Sequence, residues 1–197
     1  IPKRDWSSDV CSSDLPLAWV SVMAFAVSGA GAILFLVDKK GRFPRSEDTF
    51  HNSASLGTLF AVLATASGSV WAKLMWGSYW NWDPRQTSIV ILLLIYSAYF
   101  SLRSALAGKT ARGRLSAAYL IIAMTAMPFF VFVIPRVFPS LHPDPVINPD
   151  LKIHLQAEMR LTLIVSVVAF SLLYFYVLEI LNRLSRIRDS VEGSHNE

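Results

Sequence analysis

Cysteine occurs once in the 197 residues, at Cys11, and no CxxC or CxxCH arrangement exists. Thiol-redox and thiol-anchored cofactor motifs are thereby excluded, and one cysteine gives no reading of redox compartment. Charge is scarce as well. Asp, Glu, Lys and Arg make up 16% of the chain, against about a quarter in an ordinary soluble domain. A water-facing globule is therefore a poor starting point. No nucleophile–base pair, phosphate-binding loop or paired carboxylates stands out, so side-chain catalysis has no candidate. No basic patch is interleaved with stacking aromatics, and the formal net charge of +4 does not point to nucleic acid. Internal repeats and low-complexity runs are lacking too.

What the chain has instead is long runs without charge. Residues 16–37, 53–72, 86–102, 115–135 and 161–178 contain no Asp, Glu, Lys or Arg. Each approaches the roughly 20 residues needed to cross a hydrocarbon core of about 30 Å. The pattern predicts an all-α polytopic membrane helix bundle with five transmembrane helices. With no ionisable residue inside any run, a transport site at the bilayer midplane is disfavoured. If the first span runs from outside to inside, the inside loops collect eleven Lys and Arg and the outside segments five, with Lys3 and Arg4 ahead of the first span. That asymmetry supports the orientation.

Residues 1–15, IPKRDWSSDVCSSDL, read as a non-native segment resembling translated sequencing-adapter read-through; a short native periplasmic arm is the alternative. Residues 16–188 form the membrane domain and 189–197 a polar cytoplasmic tail. The second span sets Gly57, Ala61, Ala64 and Gly68 on one helical face, a stripe suited to close helix contact in lipid. Pro128 predicts a kink in the fourth span. The longest outside loop, 136–159, is rich in proline and holds His142 and His154.

At residues 76–85 stands WGSYWNWDPR, facing outward in this orientation. Tryptophan and tyrosine gather at membrane interfaces as belts, and Asp83-Pro84-Arg85-Gln86 reads as a helix start, with Asp83 at the N-cap and Gln86 in a capping-box position. Belt residues usually scatter, however, whereas four of the six tryptophans (Trp71, Trp76, Trp80, Trp82) fall within twelve residues. An aromatic shelf rimmed by Lys73 and Arg85 suits a large planar apolar ligand with acidic groups, of which haem is the obvious biological example.

WGSYWNWDPRQTS resembles the WGxxWxWDxRxTS signature of the tryptophan-rich WWD family, the haem-handling proteins of cytochrome c maturation. PLAWV at 16–20, GSVWAKLMWG at 68–77 and SLHPDPVI at 140–147 fit the same family, so that the likeness covers 16–188. It is closer to the CcmC type than to the larger CcsA or CcmF relatives.

The resemblance implies six helices in the intact protein, of which five stand here, and haem b (iron protoporphyrin IX) as the bound group. It implies a haem platform of Trp76, Trp80, Trp82 and Asp83, with Trp71, Tyr79 and Arg85 near it, and His142 as the iron ligand. Asp14 stands where the family's other loop histidine belongs, in Asp14-Leu15-Pro16-Leu17-Ala18-Trp19. Implied partners are haem, membrane lipid, a periplasmic haem chaperone of the CcmE type, and CcmA, CcmB and CcmD-like subunits. The implied location is the bacterial cytoplasmic membrane, with the platform and the His142 loop in the periplasm. His51 is expected as a solvated residue of an inside loop and His195 as a tail residue. His154 is expected at the surface or as a substitute for His142. Two alternatives stay open: a CcsA-like cytochrome c haem lyase, and a structural scaffold whose aromatic segment is only an interfacial belt.

Overall fold

The structure is a computed structural model that describes residues 6–38, 46–139 and 157–194. Its elements are α1 (Trp6–Val37), α2 (Ser46–Trp76), α3 (Pro84–Ala105), α4 (Arg112–Pro128), a π-helical turn (Phe129–Val133), α5 (Ile134–Val137) and α6 (Ala157–Ser194). No strand occurs among the described residues. Among the described residues five segments are long and apolar enough to cross a membrane: Asp14–Val37, Glu47–Trp76, Pro84–Ala105, Arg112–Val137 and Arg160–Arg188. The all-α bundle of five membrane spans expected from the charge-free runs is the architecture found.

The helices outrun those charge-free stretches because the polar residues at their ends are paired rather than left facing lipid. Arg103 donates from Nη1 to Glu47 Oε1 at 3.1 Å, with its own side chain 8% exposed. His51 lies on α2 and not in a loop, contrary to the expectation of a solvated residue. Its Nδ1 shares a 3.0 Å hydrogen bond with Tyr99 Oη. Asn52 Nδ2 donates to Asn182 Oδ1 at 2.8 Å, tying α2 to α6. An intramembrane polar group is tolerated when a neighbouring helix satisfies it. Here those partners sit at one end of the bundle.

Helix α1 packs against α2, α4 and α6, and α3 reaches α2 and α4. One core gathers Phe25, Phe50, Leu92, Tyr96, Tyr99 and Leu120; Phe25 stacks on Tyr96 with centroids 3.7 Å apart. A second core, with Val20, Ala24, Phe60 and Tyr174, docks α6. Buried Ser53 donates to the Ala24 carbonyl at 2.7 Å and bonds Tyr174 Oη at 2.7 Å. The small-residue stripe of α2 faces α1 as expected: a Cβ added at Gly57 would lie 2.7 Å from Phe25 Cδ1. Only glycine allows that approach.

The break expected at Pro128 takes the form of the π turn, in which the Ile134 N–H bonds the Phe129 carbonyl five residues back. Proline lacks an N–H and crowds the preceding turn, and a π turn absorbs the misfit without ending the span. Helix α6 has 38 residues and thus runs about 57 Å, well past a hydrocarbon core. It carries helix through Ser194, into the stretch read as a polar tail.

Candidate functional site: an aromatic loop between two helix ends

The loop at 77–83 is fixed from both sides by its own sequence. Gly77 ends α2 with φ +77, a left-handed position that glycine takes without a Cβ penalty. Its N–H donates to the Lys73 carbonyl at 3.1 Å, and Lys73 Nζ donates back to the Gly77 carbonyl at 2.8 Å. Asp83 starts α3 as expected. It is buried, and its Oδ1 accepts the Arg85 N–H at 2.9 Å while Pro84 takes the first helical position, where a missing N–H costs nothing. Gln86 departs from the capping-box pattern: its Oε1 accepts the Asn81 N–H at 3.0 Å. It therefore braces the loop two residues ahead of the cap.

Side chains wind the middle of the loop. Ser78 Oγ donates to the Trp80 carbonyl at 2.9 Å, and Thr87 Oγ1 to the Trp82 carbonyl at 3.4 Å. Ser78, with Gly77 and Asn81, is expected from sequence only to let the backbone lie close to a flat group, although the turn-forming habit of serine signals the bond it makes; Thr87 was not singled out. Trp82 is held at φ 54. For a bulky L-residue that conformation costs about 1–2 kcal/mol, and residues kept there cluster at functional sites.

The rings do not form one flat shelf. They make two edge-to-face pairs, Trp71 with Trp76 at 4.8 Å and 85°, and Trp80 with Trp82 at 5.8 Å and 88°. Aromatic quadrupoles favour this over a parallel sandwich. Trp71 is buried at the end of α2, Trp80 is half-buried, and Trp82 is 76% exposed. Tyr79, 59% exposed, lies under Lys73 Nζ at 5.4 Å from its ring centroid. The loop thus joins Trp71, Trp76, Tyr79, Trp80, Trp82, Asp83 and Arg85 in one region. His142 and His154 lie outside the described residues, as does the SLHPDPVI stretch. Among the described residues no group of three or more His, Cys, Asp and Glu could hold a metal ion.

Directly within the bundle beneath this loop is a cavity of about 330 Å³, walled by α1, α2, α3, the π turn, α5 and the loop itself. Trp71, Trp80 and Arg85 belong to its lining, with Phe25, Leu92 and Phe132 deeper along the wall. Asp14 and Arg136 stand at the same end of the helices. Sequence reasoning did not find this space, because no single element contains it.

Comparison with known proteins follows the same lines. The family described as CcmC, heme exporter protein C, matches residues 11–194. A heme exporter protein C of Bradyrhizobium diazoefficiens is 29% identical over 160 residues, 81% of this chain and 59% of that protein. Its counterpart from Haemophilus influenzae is 24% identical over 172 residues, 87% of this chain and 70% of that protein. A cytochrome c biogenesis protein CcsA of Manihot esculenta is 41% identical over 58 residues, 29% of this chain and 18% of that protein. The chain therefore spans somewhat under two thirds of the Bradyrhizobium relative. With a match running almost end to end, five membrane spans and the tryptophan loop in place, this chain belongs to the CcmC family of multi-pass membrane proteins.

Proposed function

We propose that the chain binds haem b as cargo at the outer face of the bacterial cytoplasmic membrane and presents it to a periplasmic haem chaperone of the CcmE type. The observation that carries this reading is the folded state of the tryptophan-rich stretch: one perpendicular tryptophan pair at the end of α2 and a second on the short loop that follows, which is braced at both ends and bordered by two cations. Trp80, Trp82 and Tyr79 offer ring faces to a macrocycle, and Lys73 and Arg85 offer charge to its propionates. The Asn81 amide nitrogen is buried without a hydrogen-bond partner and offers a further donor. A surface already organised loses little side-chain entropy on binding.

His142 supplies the axial imidazole in this reading, as a neutral ring. Bound haem brings the iron; the side chains hold, orient and release it, and break none of its bonds. The eleven-to-five bias of basic residues supports an outward loop, and the relatives' names support haem as cargo and cytochrome c biogenesis as setting. CcmA, CcmB and CcmD-like subunits are the expected companions. The test is haem content and absorption spectrum of the purified chain after haem supply, for the parent and for His142→Ala and Trp80→Ala. Haem lost or spectrally altered in the variants is expected. Equal haem and an unchanged spectrum in all three would refute the site.

The local likeness to CcsA favours one second reading, a lyase that joins haem to apocytochrome thiols. A thioether-linked product formed by the reconstituted chain would select it; release of unmodified haem to the chaperone selects the first.

A further inference from the structure

Helix α6 is the most exposed of the spans. Along its charge-free run, 161–178, exposed apolar side chains meet acyl chains and need no other cover. Beyond Glu179, however, the helix continues unbroken to Ser194. This prolongation stands at the end of the bundle opposite the aromatic loop, where Asn182 bonds Asn52 and Thr49 near the start of α2. Four large apolar residues on it, Ile180, Leu184, Ile187 and Val191, are 44%, 59%, 60% and 61% exposed.

Lipid does not reach the outer two. At 1.5 Å per helical residue, Ile187 and Val191 lie roughly 14 and 20 Å past Leu178. A tilt of about 40° still leaves roughly 10 and 15 Å, whereas the interfacial layer outside the hydrocarbon is about 5–8 Å deep on each side. The spacing says what kind of cover fits. Leu173, Val177, Ile180, Leu184, Ile187 and Val191 follow one another by steps of four, three, four, three and four. That alternation is the seam along which two helices interlock as knobs into holes. Leu173 is 47% exposed and Val177 leans on the second core, so the seam starts inside the bilayer and runs out of it.

The edges of the seam carry cations. Arg183 flanks it on one side and Arg188 on the other, both exposed. Glu179 lies behind the edge, where its Oε1 accepts Arg183 Nε at 2.8 Å and stands 3.6 Å from Arg186, so one carboxylate serves two guanidiniums. Edge charges choose the partner of such a seam. A parallel second copy would set Arg183 against the partner's Arg188, and an antiparallel one would set it against the partner's Arg183. Both arrangements oppose like charges. We propose that this face of α6 is the docking seam for a helix of another protein, one with an apolar stripe of the same spacing and acidic residues at both edges. The seam lies at the far end of the bundle from the haem reading and does not rest on it.

Two designed peptides serve as probes, each of three heptads with Ile and Leu along the stripe, one edged with Glu and the other with Lys. The full chain in nanodiscs of neutral dioleoyl phosphatidylcholine would be titrated into each labelled peptide at low salt and followed by fluorescence anisotropy. The Glu-edged peptide is expected to bind about tenfold more tightly, since two attractive edge pairs replace two repulsive ones. The double variant Arg183→Glu with Arg188→Glu should reverse that preference. Ile187→Gln, a change between helix formers on an exposed face, should weaken the Glu-edged peptide about tenfold and decides the matter even if the double variant misfolds. Equal affinity for both peptides, or parent-level binding by Ile187→Gln, overturns the proposal. So does a nanodisc holding two copies that Ile187→Gln separates, which gives the seam to self-association. Quenching of a dye on Val191→Cys, in a chain with Cys11→Ser, by spin-labelled lipid headgroups gives the face to the bilayer and overturns it too.

Discussion

Asp83 stands in the aromatic signature, yet its carboxylate is buried and caps α3. Two substitutions separate a capping role from direct contact with cargo. Asp83→Asn keeps an oxygen for the Arg85 N–H and removes only the charge. Asp83→Ala removes both. Loss of an N-cap costs about 1 kcal/mol, within 0.5–2, and loss of a negative charge at a helix N-terminus about 0.3–1 kcal/mol. Asp83→Ala should then cost about 2 kcal/mol and Asp83→Asn about 0.5 kcal/mol. Because the cap and the Gln86 brace together hold the α3 end of one short loop, the loss falls on loop opening. The opening equilibrium should rise about thirtyfold for Asp83→Ala and about twofold for Asp83→Asn. Hydrogen–deuterium exchange of the peptide spanning 77–87 reads this directly, beside haem retention of the same samples. If Asp83→Asn loses haem as fully as Asp83→Ala while its exchange stays at the parent level, the carboxylate meets the cargo itself and the capping argument fails. If Asp83→Ala leaves exchange unchanged, the cap does not hold the loop.

Other substitutions probe the remaining physics. At Trp82 the left-handed backbone predicts that Trp82→Gly is about 1 kcal/mol more stable than Trp82→Ala; equal unfolding midpoints would deny the strain. Gly57→Leu drives a side chain into Phe25 and should destabilise by about 1–3 kcal/mol, whereas Gly68→Leu should match or exceed the parent in the same titration. Glu47→Ala leaves buried Arg103 without its carboxylate. A loss of about 1–3 kcal/mol is expected, below the value for a wholly buried pair because Glu47 is 34% exposed. The double variant Glu47→Leu with Arg103→Met should recover most of it in a double-mutant cycle.

The spans were legible because lipid penalises charge along about 20 residues at a time, a rule written in composition. Their ends were not. Glu47, His51 and Arg103 look like loop residues when each is weighed alone, and become span residues only through partners some fifty positions away. The stripe Gly57, Ala61, Ala64 and Gly68 was legible because helical spacing alone puts small residues on one face. Pro128 announced a break, but proline dictates only a missing N–H, and the π form depends on which carbonyl takes up the slack. In the candidate site the chemistry of the rings was readable and their arrangement was not. Ring orientation follows the backbone at Trp82, and no local rule assigns an aromatic residue a positive φ. The cavity was invisible for the opposite reason: each wall residue is ordinary, and only the meeting of several elements leaves space between them.

The π turn has a genetic side. One residue beyond the α-helical count rotates everything after it by about 100° around the helix axis. The segment after that turn contains Pro135 and Arg136, both in the cavity lining. Deleting one codon between 129 and 133 would leave every side chain of the lining encoded and swing Arg136 away from it. A gain of one codon in an unbroken helix is thus the smallest heritable step that brings this wall of the cavity into being.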